Sequence, residues 1–474
     1  MVGGGISGLT VAYRLGQSMP ESQVTLVEQS HRLGGKLETE RYEGFVMDHG
    51  PDVFLSRKPW AVDLCKELGL ELQPTNPQVK GSFIQQGGRL HPLPDGFGGL
   101  VPSSWVALAR TSLLTARGKA RLALEALVPA SRGSDDESLG AFARRRLGAE
   151  AYDRLIHPLL GGIYGGDIEA LSLEATFPQF RQMEREHGSL IRAARARARG
   201  AKGAAARATA AQATAAGGRA KAPLFYTLRD GMQSLPDGLA AACPAQVRLG
   251  MSATSIDVAQ GAGPKSTRVL RVHLNDRSSL EADAVICTTP AYAAADVLAS
   301  HRELAEILRA IPYNSSLIVT LAFGREQVPH PLDGYGYLIP ASEGKAVRAC
   351  TWTSTKIPGR APTGEVLIRV FFGRSADDPW LEASDEQLLE CAAEELKATL
   401  GIEDGPKFHR VRRWIRGQPA YTMGHPERLR LLDDALGALP GLFLTGSAYR
   451  GVGIPDCIRQ ANKTALSVTN YLKA

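Results

Sequence analysis

The chain has 474 residues, 44% hydrophobic and 22% charged, the balance of a soluble globular protein of roughly two or three domains. Lys+Arg 55 against Asp+Glu 49 leave a net charge of +6, and much of the excess sits in residues 192–222, which hold many Arg and Lys and no acid. The remainder is near neutral, which argues against a nucleic-acid partner. No apolar run approaches the roughly 18 residues of a membrane-crossing helix, and the opening Met1-Val2-Gly3-Gly4-Gly5 is no secretory signal. Cys65, Cys243, Cys287, Cys350, Cys391 and Cys457 are scattered without Cys-x-x-Cys or Cys/His pairing. That pattern argues against a metal site or a disulfide framework and fits a reducing, cytoplasmic compartment.

The N-terminus is the most informative stretch. Gly3-Gly4-Gly5-Ile6-Ser7-Gly8 matches G-x-G-x-x-G, and Leu9, Ala12, Tyr13 and Leu15 follow as the packing face of a helix. A strand is expected over Gln23–Glu28, ending in an acid 20 residues after Gly8. Together these make a dinucleotide fingerprint. Gly3 allows the tight turn, Gly5 lets backbone approach a pyrophosphate at the helix N-terminus, and Gly8 lets helix and strand pack closely. Glu28 would accept hydrogen bonds from a ribose. Only Met1 and Val2 stand where the first strand should run: either the chain is short by several residues or its start is mis-assigned, and a missing central strand would leave its neighbours' backbone groups unpaired. The Gly34-Gly35 pair, placed after the acid, reads as a second nucleotide contact, and Asp48-His49-Gly50-Pro51-Asp52 follows.

Residues 95–200 read as mainly helical. Ser134 and Glu137 have capping-box spacing, and Leu139, Phe142 and Ala143 recur at helical spacing before Arg144-Arg145-Arg146. Residues 192–222, Ala/Arg/Gly-rich with few large apolar side chains, read as a flexible or loosely helical insertion, either a solvated basic loop or a contact for an anionic membrane surface. A second α/β stretch begins near residue 224. Ala282–Pro290 reads as a buried strand, 315–323 and 365–373 as strands, and 384–400 as a helix. Leu442–Gly446 reads as a strand running into a glycine-rich turn and a last helix with Ile458, Ala461, Leu466 and Leu472. A nucleotide domain assembled from both chain ends is a plan of flavoproteins that bind FAD in extended form. Backbone N–H groups of Val452-Gly453-Ile454 would then face the pyrimidine edge of the flavin from a helix N-terminus.

Several blocks carry a more specific resemblance. They are Gly162-Ile163-Tyr164-Gly165-Gly166-Asp167, Leu171-Ser172, Thr176-Phe177-Pro178, Met183-Glu184-Arg185-Glu186-His187, and Thr445 through Ile458. These resemble the FAD-dependent porphyrinogen oxidases of heme synthesis, within the flavin amine oxidase superfamily, over nearly the whole chain except 192–222. Protoporphyrinogen-using members carry a propionate-binding arginine just before a short aromatic strand. The matching residue here is Ser82, in Gly81-Ser82-Phe83-Ile84. With Ala349-Cys350-Thr351-Trp352-Thr353, this makes the chain more similar to the bacterial coproporphyrinogen III oxidases.

The resemblance implies an α/β fold: an FAD-binding, two-dinucleotide-binding (Rossmann-like) domain, an α/β substrate domain and a helical, membrane-facing domain. FAD binding falls to residues 1–78, 224–297 and 409–474, substrate to 79–94 and 298–408, and the helical domain to 95–223. Implied FAD contacts are Gly3, Gly4, Gly5, Ile6, Ser7, Gly8, Glu28, Gly35, Lys36, Gly50, Pro51, Asp52, Val53, Ala253, Trp414, Ser447, Val452, Gly453 and Ile454, with Ala253 standing where valine is usual. Gly162 would lie over the flavin face, and Tyr335, Leu338, Thr351 and Phe371 match the positions that sandwich the macrocycle. Lys58 and its neighbour Arg57 are candidates for the propionates, against the reading of plain surface cations.

The implied reaction is oxidation of coproporphyrinogen III to coproporphyrin III, by hydride transfer to FAD and reoxidation by O2 with release of H2O2. The flavin carries the chemistry, so no acid–base dyad is expected. Oxidation of protoporphyrinogen IX is the alternative. An oxidase of amines or carotenoids, or a flavin-binding protein without turnover, is more remote. Implied partners are the porphyrinogen, O2, an anionic membrane surface on the inner face of the cell membrane and a heme-pathway enzyme.

Overall fold

In a computed structural model of the chain, the described residues are 1–79, 81–94, 105–131, 133, 136–164, 168–196, 223–260, 268–373 and 378–474. Ser134, Gly165-Gly166-Asp167 and most of the basic 192–222 segment lie outside them, whereas residues 192–196 continue a helix from residue 190.

The N-terminal helix, Ile6–Ser18, buries Leu9, Val11, Ala12 and Leu15. Beside it runs a parallel layer in which Gln246–Leu249 pairs with Thr25–Glu28, and Val285–Cys287 with Leu442–Leu444. The gap that a missing strand would leave at the centre of this layer is not seen. Val2 forms parallel bridges to Val27 on one side and Cys287 on the other. Its N–H donates to Ile286 O at 2.9 Å, Gly3 N–H donates to Val27 O at 2.9 Å, and Met1 O accepts from Val27 N–H at 3.0 Å. The C-terminal helix, Ile454–Lys473, lies against the N-terminal one. Val11 and Leu15 share a core with Ile286, Ala461, Ala465 and Val468.

A second layer is a seven-stranded sheet in the order Phe408–Pro419, Tyr313–Gly324, Glu365–Phe372, Val347–Trp352, Gly336–Leu338, Phe83–Gln86, Arg89–Pro92. Side chains alternate between its faces. On one face Val319, Val370, Cys350 and Tyr337 stand opposite one another across four strands. They are buried with Leu388, Ala392 and Leu396 of the helix Asp385–Leu400. The other face carries one row of Ile318, Phe371, Ala349 and Leu338, and a neighbouring row of Thr320, Arg369, Thr351 and Gly336. The strands and helix expected at 315–323, 365–373 and 384–400 are found within two residues of those bounds. The single strand expected over Ala282–Pro290 is divided, into Ser279–Ala282 and Val285–Cys287.

The helical layer packs around Leu139, Phe142, Ala143, Leu147, Leu155, Ile156 and Leu190. Its helix Leu139–Leu147 starts at Ser138, whose hydroxyl accepts from Ala141 N–H at 3.1 Å, so the cap expected from Ser134 and Glu137 is corrected. Glu137 instead pairs with Arg145 at 2.9 Å and Arg181 at 3.0 Å. Arg146 is wholly buried between Glu125 and Glu184. The helix His157–Tyr164, which carries Gly162, packs against the strands Gly336–Leu338 and Val347–Trp352. Among the described residues no helix is long and apolar enough to cross a membrane.

Candidate active site

The glycine turn is tight for two different reasons. Gly3 has φ +104°, and a Cβ there would stand 2.7 Å from Thr288 Oγ1; a Cβ at Gly8 would stand 2.1 Å from Gly3 O. Both positions are filled by the protein itself. At Gly5 a Cβ would meet nothing within 4 Å, so backbone faces open space at the helix N-terminus. Gly34 N–H donates to Gly4 O at 2.9 Å, and a Cβ at Gly35 would stand 3.3 Å from Gly5 Cα, so the second glycine pair is folded onto the first. Glu28 braces this turn. One carboxylate oxygen accepts Gly4 N–H at 2.7 Å, and the other accepts the Ser30 N–H at 2.9 Å and hydroxyl at 2.8 Å. Glu28 O takes Met251 N–H at 3.0 Å, which sets Ala253 at the start of the next strand close by.

The C-terminal turn meets the same place. A Cβ on Gly446 would stand 3.6 Å from Thr288 O and 3.9 Å from Ser7 Oγ. Ile454 opens the last helix and packs in one core with Leu9. Burial lowers the pKa of the Lys36 ammonium, and it raises that of the nearby Cys457 thiol to about 11. Gly50 sits directly on Lys36, since a Cβ there would stand 2.0 Å from Lys36 O. Lys58 reaches this region too, but as the ion-pair partner of Asp456 in the first turn of the last helix. Arg57 is exposed, as is Pro51, and Val53 is half-buried.

The open face of the large sheet lies opposite Gly162, where a Cβ would meet Leu338 Cδ2 at 3.3 Å. Leu338, Thr351 and Phe371 are half-buried on this face. Tyr335 is half-buried as well, and its hydroxyl donates to Asn76 O at 3.4 Å. Ser82 is half-buried, with its carbonyl accepting Leu93 N–H at 2.9 Å.

The sequence reading missed the cations that join this face to the nucleotide layer. Arg369 stands in the row of Thr351, is only 3% exposed, and donates to Gly50 O at 2.7 Å. It lies 3.5 Å from the Asp52 carboxylate, which Lys356 also holds at 2.9 Å. Its guanidinium sits over the Phe371 ring, 5.1 Å from the centroid. Burial alone would raise the Asp52 carboxyl, but Lys356 and Arg369 outweigh it and hold it at about 2. On the same sheet face Arg410 pairs with Glu40 at 2.8 Å, and Arg412 pairs with Glu38 and covers the Trp414 ring. Trp414 donates from Nε1 to His49 O at 2.8 Å. One signal was present: an arginine inside Val366-Leu367-Ile368-Arg369-Val370-Phe371-Phe372, a run otherwise apolar.

Behind the C-terminal turn, His425 is fully buried. It donates from Nε2 to Tyr449 O at 2.9 Å and stacks on Tyr421 with ring centroids 4.1 Å apart. Burial lowers its pKa to about 4 from 6.5. Between these values the unfolded chain binds the proton and the folded chain does not, so stability rises with pH across that window. Below pH 4 this term has cost about 3 kcal/mol. The loss of stability from pH 7 to pH 4.5, read from denaturant midpoints, is expected to be smaller in His425→Gln than in the natural chain.

The N-termini of the first and last helices, the backbone turn with free space at Gly5, and the loop at Gly50–Val53, tied by Arg369 to the sheet, therefore lie on the side of the large sheet that carries Leu338, Phe371, Thr351 and Arg369. A helix N-terminus with open space before its backbone N–H groups suits an anionic group. The family of flavin containing amine oxidoreductases matches residues 6–469, and the chain belongs to it. It is an FAD-dependent oxidoreductase.

Within that family the chain is 36% identical to coproporphyrinogen III oxidase of Bacillus subtilis (strain 168), over 100% of this chain and 98% of that one. It is 29% identical to the chloroplastic protoporphyrinogen oxidase of Oryza sativa subsp. japonica, over 100% and 88%. The crystal structure of an Exiguobacterium sp. 255-15 protein described under the name protoporphyrinogen oxidase superposes with a TM-score of 0.84 at 31% identity, covering 100% of this chain and 98% of that one.

Proposed function

We propose that this chain oxidises coproporphyrinogen III to coproporphyrin III, with O2 as the final acceptor and H2O2 as the second product. The observation that carries the reading is the full-length similarity to the Bacillus subtilis enzyme, which is greater than that to the chloroplastic protoporphyrinogen oxidase. Bound FAD supplies the hydride acceptor. The protein's own part is to bind, orient and exclude water. Gly3 to Gly8, Gly35 and Gly50 to Val53 would hold the cofactor, with Val452 to Ile454 at its pyrimidine edge. Leu338, Thr351, Phe371 and Tyr335 offer an apolar surface for the tetrapyrrole, and Gly162 leaves room for it because it has no side chain. On this reading residues 1–78, 224–297 and 409–474 carry the cofactor, and 79–94 with 298–408 the substrate.

Ser82 bears on the choice of porphyrinogen. An arginine fork holds one carboxylate through paired charge-assisted hydrogen bonds, worth about 1.5–3 kcal/mol each. Serine offers one neutral donor. A substrate with four propionates recovers binding through several weaker contacts better than one with two. We expect kcat/KM for coproporphyrinogen III to exceed that for protoporphyrinogen IX, measured by porphyrin fluorescence under air. Ser82→Arg is expected to narrow the gap by raising protoporphyrinogen use about tenfold. Equal or greater kcat/KM for protoporphyrinogen in the natural chain would assign it to the other branch.

A further inference from the structure

Tyr421 is 2% exposed, and its hydroxyl is used twice. It donates to Ser447 O at 2.6 Å and accepts Gly451 N–H at 2.8 Å, so one oxygen spans the turn that leads into the last helix. Gly451 is at φ +122°, and on the far side of the turn Gln460 donates to Gly451 O at 3.1 Å and accepts Arg450 N–H at 2.9 Å.

The backbone of Tyr421 belongs to a different connection. Its carbonyl accepts Ser172 N–H at 2.8 Å, Met423 N–H donates to Ala170 O at 2.9 Å, and Leu171 bridges Thr422 antiparallel. Asp136 completes the seam, taking the Ser172 hydroxyl at 2.9 Å and Gly424 N–H at 3.2 Å. Residues 421–424 are thus sewn to the helical layer through their main chain, while the side chain of Tyr421 shapes the cofactor turn.

We propose that Tyr421 is a positioning residue through which the helical layer sets the Ser447–Gly453 turn, and with it the alignment of the Val452–Ile454 N–H groups. This rests on the reading that these groups face the flavin. N–H groups aimed at a place where negative charge develops act through orientation, and a small tilt weakens them steeply. Losing the hydroxyl frees Ser447 O and Gly451 N–H to find other partners, and the turn relaxes. Phenylalanine keeps the ring and its stack on His425, so the test removes one oxygen and little volume.

The experiment compares purified holoenzyme of the natural chain and Tyr421→Phe. The natural chain is read first. If it carries no FAD, or turns over no porphyrinogen, the functional reading fails, and this inference falls with it. Given a functional natural chain, Tyr421→Phe is expected to keep full FAD content and to shift the flavin midpoint potential to a more negative value. Its kcat should drop about tenfold with KM within about twofold. Unchanged potential and kcat would overturn the proposal, as would a raised KM with kcat intact, which would make Tyr421 a substrate contact. Should Tyr421→Phe not accumulate as folded holoenzyme, Asp136→Ala decides. It loosens the seam without touching the turn. A potential shift of the same sign with a smaller fall in kcat supports the proposal, and no change in either overturns it.

Discussion

Replacing Gly5 with valine is expected to give a folded protein that does not retain FAD. The two halves of that result have separate causes. A Cβ at Gly5 meets no protein atom within 4 Å, and the residue sits in extended backbone at φ −76°, ψ −177°, which valine adopts readily. As the helix N-cap, glycine loses little here, so the substitution costs the fold at most about 1 kcal/mol. The two added methyl groups instead enter the space in front of the helix, where the cofactor's anionic part must come close to backbone. A weakening of at least about 100-fold is expected, equal to about 2.7 kcal/mol. Flavin absorbance after gel filtration measures the loss, and thermal unfolding compared with flavin-stripped natural protein measures the intact fold. Full flavin occupancy in Gly5→Val would put the cofactor elsewhere.

Arg369→Met should act on the fold as well as on the site. Methionine fills much of the same buried volume but leaves Gly50 O without its donor and Asp52 with Lys356 alone. Removing one partner from a buried charge set leaves the other charge poorly compensated, and a loss of about 3 kcal/mol is expected. The midpoint of denaturant unfolding at pH 7 reads this directly. Flavin should also bind more weakly, because the Gly50–Val53 loop loses its tie to the sheet. Arg369→Lys should fall between the two. It restores the charge, but a single ammonium cannot serve both Gly50 O and Asp52 in the geometry of a planar fork. Wild-type stability in Arg369→Met would show that the Lys356–Asp52 pair is sufficient alone.

The contrast between Gly5 and Arg369 marks what the sequence could reveal. The glycine fingerprint is local: its spacing follows from one turn and one helix, so Gly3, Gly5 and Gly8 take distinct duties from spacing alone. The last strand, turn and helix are legible for the same reason. Arg369 owes its meaning to Asp52 and Gly50, which lie on another layer and more than 300 residues away. Arg410 and Arg412 are likewise matched to Glu40 and Glu38 across layers. Nothing in the alternation of a strand tells a buried interlayer cation from a solvated one. The helix start at Ser138 is easily misplaced because Ser134 with Glu137 has the right spacing, yet Glu137 is drawn to Arg145 and Arg181. Lys58 is another cation whose partner the sequence does not show: it reads as a propionate contact or a plain surface cation, and the fold pairs it with Asp456.

The layer that closes on itself from both chain ends sets a timetable for biosynthesis. Val2 finds Thr288 only across 286 residues, and Arg14 donates to Asn462 across 448. At a translation rate of about 5–20 residues per second, the glycine turn is in existence for tens of seconds before its last neighbours emerge. Over that interval Leu9, Ala12 and Tyr13 can meet Phe54, Ala61 and Leu64 early, and Thr25–Glu28 meets Gln246–Leu249 about halfway, but Val11 and Leu15 wait for Ala461, Ala465 and Val468. On the proposed placement of FAD, its contacts at Val452–Ile454 form only when the final helix docks, so FAD is expected to lock a molecule whose last helix is already in place. Loading becomes the last step of maturation, and a shortage of flavin should build up a complete but unlocked population rather than arrested fragments.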